Sequence, residues 1–126
     1  MNWTVRAEMA ADGTLRLTVV DGAGQGADMM PDRVQPVDLL VAGVAACFVK
    51  SCAAVLEARG EPPAAIRAEA VAVKAADKPA RVGRMTIRYA IPALTDSHAG
   101  RIARDAKRIC TVTNTLACEV TLADWR

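Results

Sequence analysis

Pro36-Val37-Asp38-Leu39-Leu40-Val41-Ala42-Gly43-Val44-Ala45-Ala46-Cys47-Phe48 is the longest apolar run in the chain, and its reading decides the fold. Pro36 supplies a helix-compatible φ where the run begins. Gly60 is placed to end the helix as a C′ residue, with Pro62-Pro63 beyond it, so the pattern predicts a helix from about Pro36 to about Arg59. Such a helix is ~35 Å long at about 1.5 Å per residue. The uninterrupted apolar part, Leu39 to Val49, is 11 residues before Lys50. A bilayer span needs about 20, so the run reads as a core helix, with no membrane partner expected. Few positions before Lys50 look solvent-facing, and such a helix must be covered on more than one side, by a sheet plus another helix or by a second copy of the chain.

On the N-terminal side of that helix, Trp3, Val5, Ala7 and Met9 alternate with Thr4, Arg6 and Glu8, the period-2 pattern of a half-buried strand. Asp12-Gly13 is a turn dipeptide, and Leu15, Leu17 and Val19 alternate after it, so the first two strands form an antiparallel hairpin. Asp21 to Gln35, with Gly22, Gly24, Gly26 and Pro31, reads as a loop containing a short strand around Ala27 to Met30. On the C-terminal side, Ala68, Ala70 and Ala72 alternate with Arg67, Glu69, Val71 and Val73, a strand expected to set its valine face on the core. After the turn at Asp77-Lys78-Pro79, Met85, Ile87, Tyr89 and Ile91 define the next strand. Thr95 is placed to cap a second helix whose apolar face is Ala99, Ile102, Ala103, Ala106, Ile109 and Cys110, with Arg101, Arg104, Lys107 and Arg108 on its wet side. Thr111 to Leu116 reads as a short turn or helix, and Ala117 to Leu122 as a last strand. This order predicts one α+β domain over residues 1–126, built of antiparallel hairpins with a long central helix and a second helix.

Composition narrows the function. The net charge of +2, from 16 basic residues scattered among 14 acidic ones, and the four aromatics Trp3, Phe48, Tyr89 and Trp125 argue against nucleic acid as a partner. The first residues show no secretory pattern, so the cytoplasm is the expected location. Cys47, Cys52, Cys110 and Cys118 stand at intervals of 5, 58 and 8, with no CxxC and His98 as the single histidine, so neither a zinc site nor another cofactor is expected. In a reducing compartment a static disulfide framework is not expected either, which leaves free thiols or a redox pair. Cys47 and Cys110 lie on helices; Cys52, about 140° round from Cys47, faces elsewhere, and it and Cys118 on the last strand read as structural. His98 reads as exposed.

Two motifs, PVDLLVAGVAACF at 36–48 and AKRICTVTNTL at 106–116, resemble the two cysteine signatures of the OsmC/Ohr family, the thiol-dependent peroxidases of organic hydroperoxide resistance and the stress response, in that family's order and separation. The likeness extends over the whole chain and is similar to the divergent OsmC-like branch. It implies an interleaved homodimer with the central helices packed together, and reduction of a small apolar hydroperoxide. In it Cys47 matches the peroxidatic thiol and Cys110 the resolving thiol, with an external thiol or lipoyl protein as reductant. In the family an arginine, held by a glutamate about ten residues before the first cysteine, activates the thiol. Here that position is Val37 and the acid is Asp38, and the arginine's place in the glycine-rich loop is empty, with Arg33 as the candidate substitute. Asp38 equally fits a first-turn acid meeting the helix dipole, and Arg33 a solvated loop charge. Three readings follow: a peroxidase working through Cys47 and Cys110, a non-catalytic dimer that binds a small apolar or thiol-reactive ligand or senses redox state, and a structural α+β domain with inert cysteines.

Overall fold

The computed structural model describes residues 1–125. Its elements are β1 (Asn2–Met9), β2 (Leu15–Val20), β3 (Gly26–Asp28), α1 (Pro36–Ala58), β4 (Ile66–Lys74), β5 (Val82–Ala90), α2 (Asp96–Ile109), α3 (Thr111–Thr115) and β6 (Glu119–Asp124). The strands form one sheet in the order β3-β2-β1-β4-β5-β6. The β1–β2 and β4–β5 hairpins are antiparallel as expected, and β1 pairs with β4 between them. β6 departs from the antiparallel expectation by running parallel to β5. The cause is the connection, because α2 carries the chain back along the sheet before β6 begins, and a helical crossover returns a strand in parallel.

α1 starts and stops where its residues dictate. Gln35 caps it in an extended conformation, Pro36 stands at its first helical position, and the Asp38 carboxylate accepts the Gln35 N–H at 2.8 Å. At the other end Gly60 takes φ +69°, its N–H donates to the Glu57 carbonyl, and the Glu61 N–H donates to the Leu56 carbonyl. That pair of bonds is a Schellman motif, which only a residue at ease with positive φ completes without strain. Although α1 is long and apolar enough to cross a membrane by length and composition, more than half of its most apolar window is buried within the protein.

The layer beneath α1 inverts the expectation for β4. Ala68, Ala70 and Ala72 are fully buried under the helix, beside Val5 and Ala7 of β1, whereas Val71 and Val73 are half-buried on the opposite face. Small side chains on the sheet make room for the large ones that α1 brings down, Phe48 and Leu56 among them, and burying each contributes on the order of 2–3 kcal/mol. Tyr89 of β5 closes the end of this layer, its ring centroid 6.1 Å from that of Phe48. α2 lies alongside α1 with Ala99, Ile102, Ala103 and Ala106 buried between them. Thr95 caps it, accepting the His98 N–H at 3.2 Å. The His98 ring, expected to be exposed, is half-buried and pairs with Glu61, which ties the start of α2 to the segment after α1.

The far face of the sheet is polar. Arg6 and Glu69, directly opposite on β1 and β4, form a 2.9 Å ion pair, and the guanidinium groups of Arg67 and Arg88 lie 4.4 Å and 5.0 Å from the Trp125 ring centroid.

The remaining side of α1 is open. Leu39 is 60% exposed and Leu40 39%, and Gly43, Ala46 and Cys47 continue the same strip toward Lys50 at partial exposure. Ile109, expected on the buried face of α2, is the last residue of that helix and is 53% exposed. The apolar character of the central helix therefore exceeds what one chain covers.

Candidate functional site

The site is built where α2 breaks. Lys107 and Arg108 occupy the last turn of α2, where cations meet the negative helix end. Cys110 then takes φ −71° and ψ 103°, an extended conformation that serves at once as the C-cap of α2 and the N-cap of α3. Asn114 locks this corner: its backbone N–H donates to the Cys110 carbonyl at 2.9 Å and its Nδ2 to the Arg108 carbonyl at 2.9 Å. The first N–H groups of any helix lack an intrahelical acceptor. Those of Thr111 and Val112 lie toward the Cys47 sulfur, one helix away, and act to lower its pKa. Val112 also packs over Gly43, one turn before Cys47, where an added Cβ would meet its Cγ1 at an ordinary 3.8 Å.

Two of the four cysteines thereby share one site. Burial pushes the Cys47 thiol up, but the backbone N–H of Val112, the Cys110 thiol, the Ser51 hydroxyl and the Thr111 N–H, all close to it, together hold its pKa below the ordinary thiol value. Cys110 is shifted the opposite way: burial and the neighbouring Cys47 raise it, against the lowering effect of the Thr113 hydroxyl and N–H. Of the two sulfurs, the more exposed one, Cys47, is thus the more readily ionised. Thr113 Oγ1 is buried and, beyond its proximity to the Cys110 sulfur, makes no hydrogen bond.

The other site expectations come out differently. Asp38 is buried at the mouth of α1 and its carboxylate is spent on the Gln35 N–H, nine residues and ~13 Å of helix rise from Cys47. Arg33 is exposed in the loop before α1, its N–H on the Met30 carbonyl. Neither figures among the groups that set the Cys47 pKa, so one chain does not bring them to the sulfur. Cys52 is fully buried as expected of a structural residue, yet it lies near enough to Cys110 to feel its charge, and its thiol is pushed up to about 12. Cys118 falls in the bend before β6, not on the strand, and is half-exposed. Ser51, Thr111, Val112 and Thr113 escaped the sequence reading. Ser51, one turn after Cys47 on an otherwise apolar face, was the one visible signal; the backbone donors depend on the conformation of Cys110, which no residue pattern announces. Among the described residues no group of three His, Cys, Asp or Glu side chains could hold a metal ion.

A two-layer α+β domain with a pair of neighbouring thiols between its central helix and a helical break defines a class of thiol protein. The chain belongs to the OsmC-like protein family, whose model matches residues 26–123. No curated protein sequence is significantly similar to it. Among solved structures, the fold is similar to that of the organic hydroperoxide resistance protein OhrB of Bacillus subtilis, at 20% identity and TM-score 0.64 over 95% of each chain. It is also similar to an organic hydroperoxide resistance protein OsmC from Legionella pneumophila, at 17% identity and TM-score 0.63 over 96% of each chain. A putative osmotic stress induced and detoxification response protein from Psychrobacter arcticus shares 22% identity at TM-score 0.61, over 89% of this chain and 82% of its own.

Proposed function

We propose that this chain is a thiol-dependent peroxidase that reduces organic hydroperoxides through Cys47 and Cys110. Membership of the OsmC-like family supports a redox or peroxide-related role. What supports the specific reading is the closeness of the two thiols, with groups that lower the Cys47 pKa gathered about it. The Cys47 thiolate attacks the distal oxygen of the hydroperoxide, the O–O bond breaks, and the alkoxide leaves as the alcohol on taking a proton, which gives a sulfenic acid on Cys47. The Cys110 sulfur, losing its proton, attacks Cys47, forms the disulfide and expels water. An external dithiol, a small molecule or a lipoyl protein, restores both thiols by exchange.

The reading includes a homodimer. The open strip of α1, from Leu39 and Leu40 through Gly43 and Ala46 to Cys47, fits a second copy of the same helix, its small residues permitting close approach. Pairing there would shield Cys47 from bulk water and complete an apolar pocket for the substrate. One observation favours the alternative of a redox sensor or a binder of thiol-reactive ligands: no guanidinium stands among the groups that lower the Cys47 pKa.

Stoichiometric cumene hydroperoxide separates the two. The peroxidase reading expects two thiols lost per chain at a rate more than about a hundredfold above that of a free thiol, no loss in Cys47→Ser, and a trappable sulfenic acid in Cys110→Ser. Peroxide consumption no faster than by free thiol overturns the peroxidase and leaves the sensor.

A further inference from the structure

We propose that the Thr113 hydroxyl is a catalytic group of the second half-reaction, donating to the Cys110 sulfur as that sulfur attacks oxidised Cys47; the inference rests on the Cys47–Cys110 reading above. Thr113 is the third residue of α3 and Cys110 the residue before its first, the spacing at which a cap side chain and the third helical residue face each other. The Thr113 side chain is buried, at 7% exposure, and its Oγ1 has no hydrogen-bond partner. A threonine inside a helix can spend its hydroxyl on a carbonyl one turn back, and Thr115 does so, on the Thr111 carbonyl at 2.8 Å. Thr113 does not, and the Cys110 carbonyl one turn before it is taken by the Asn114 N–H at 2.9 Å. A buried donor left unspent costs folding free energy. Its place beside the Cys110 sulfur points to an acceptor that forms during turnover.

The two sulfurs have to ionise in turn. In the reduced chain burial raises the Cys110 thiol, Thr113 works against it, and the neighbouring Cys47 adds to the rise. Once peroxide has turned Cys47 into a neutral sulfenic acid, its charge is gone and burial is opposed by the Thr113 hydroxyl and N–H. The S–S bond then forms as the S–O bond of the sulfenic acid breaks. The Cys110 sulfur is oxidised, the Cys47 sulfur is reduced, and the Cys110 proton leaves with the hydroxide as water. Thr113 keeps its own proton and turns it toward the Cys110 sulfur while that atom carries negative charge.

Dithiobis(nitrobenzoate) tests this without peroxide, on the full chain carrying Cys118→Ser. Cys47 attacks the reagent and releases a first thionitrobenzoate at a rate that rises with reagent concentration; Cys110 then displaces the second in a step independent of it. Thr113→Val, which keeps the branched shape and removes the hydroxyl, should slow the second release about tenfold near neutral pH and move its pH profile to higher pH. The first release should stay within about twofold, and the urea midpoint should not fall, since the hydroxyl makes no bond in the reduced fold. Thr113→Ser should restore the second rate. A second release unmoved in Thr113→Val, or slowed equally in Thr113→Ser, overturns the role of Thr113 and leaves the peroxidase reading standing. Slow peroxide consumption with the threonine effect intact overturns the peroxidase alone, and a parent chain without a second release overturns both.

Discussion

Cys47 and Cys52 are five residues apart on one helix, and their surroundings differ in kind. Cys47 faces α3, where two backbone N–H groups, a hydroxyl and a second thiol lie close to it and lower its pKa against the effect of burial. Cys52 points into the packed layer, fully buried, where desolvation and the charge of Cys110 push its pKa to about 12. Residue type and helix are shared. The difference is what stands opposite: free N–H groups of a new helix in one case, apolar side chains in the other. A reactive thiol here is a property of the break between α2 and α3 as much as of the helix that carries the sulfur.

The largest test of that contrast is at alkaline pH. Folding raises the Cys52 pKa, so between the ordinary value of 9.0 and about 12 the folded chain keeps a proton that the unfolded chain has lost. Stability therefore falls as pH rises through this window, by about 4 kcal/mol at its upper end for a shift of that size. Cys47 works in the opposite direction, since a lowered folded pKa contributes stability that is present above the unfolded value and lost as pH falls. Cys52→Ala should cost about 1–2 kcal/mol at neutral pH, from the small cavity, and flatten the alkaline decline. Urea midpoints measured across the range decide it; parallel curves for the two proteins would mean that Cys52 is not the buried neutral thiol described here.

A smaller effect sharpens the other side. Ser51 is the one side-chain hydroxyl among the donors to Cys47, and it is itself buried. Ser51→Ala removes a hydrogen bond to a charged acceptor, about 1.5 kcal/mol, so thiolate formation at Cys47 should become roughly tenfold less favourable. Stability should move by less than about 0.5 kcal/mol, because alanine is the better helix former. Iodoacetamide alkylation of Cys47 as a function of pH measures this; an unmoved profile would assign the lowered pKa to the α3 backbone alone.

How much of this could be read beforehand follows the range of the interactions. α1 was legible to within a residue because its signals, Pro36 at the start and Gly60 after the end, act on their own neighbours. The two cysteines were legible as a motif pair. The face of β4 was not, because alternating alanine and valine gives the strand's period and leaves open which half packs; the close approach of Phe48 and the rest of α1 selects the alanines. The parallel sense of β6 was also missed, although a 14-residue helix between β5 and β6 is the signal that could have shown it. Donor groups on Cys47 were invisible for a further reason. Every residue but proline carries the same N–H, and only the extended turn at Cys110 aims two of them.

Asp38 brings the comparison to its finest point, because it is an acid on the same helix whose role could be read two ways. Its carboxylate accepts the Gln35 N–H at 2.8 Å, at the positive end of α1. If that is its whole task, Asp38→Ala should lower stability by about 1 kcal/mol, the usual cost of a lost cap, and Asp38→Asn, which keeps an acceptor oxygen, should restore most of it. The alkylation rate of Cys47 should stay within about twofold of wild type in both, since Asp38 is not among the groups that set its pKa. A large fall in that rate, without a matching fall in stability, would place the carboxylate in the working site through a second chain, with Arg33 as the cation it positions. The same helix would then serve its sulfur from its beginning as well as from the break opposite.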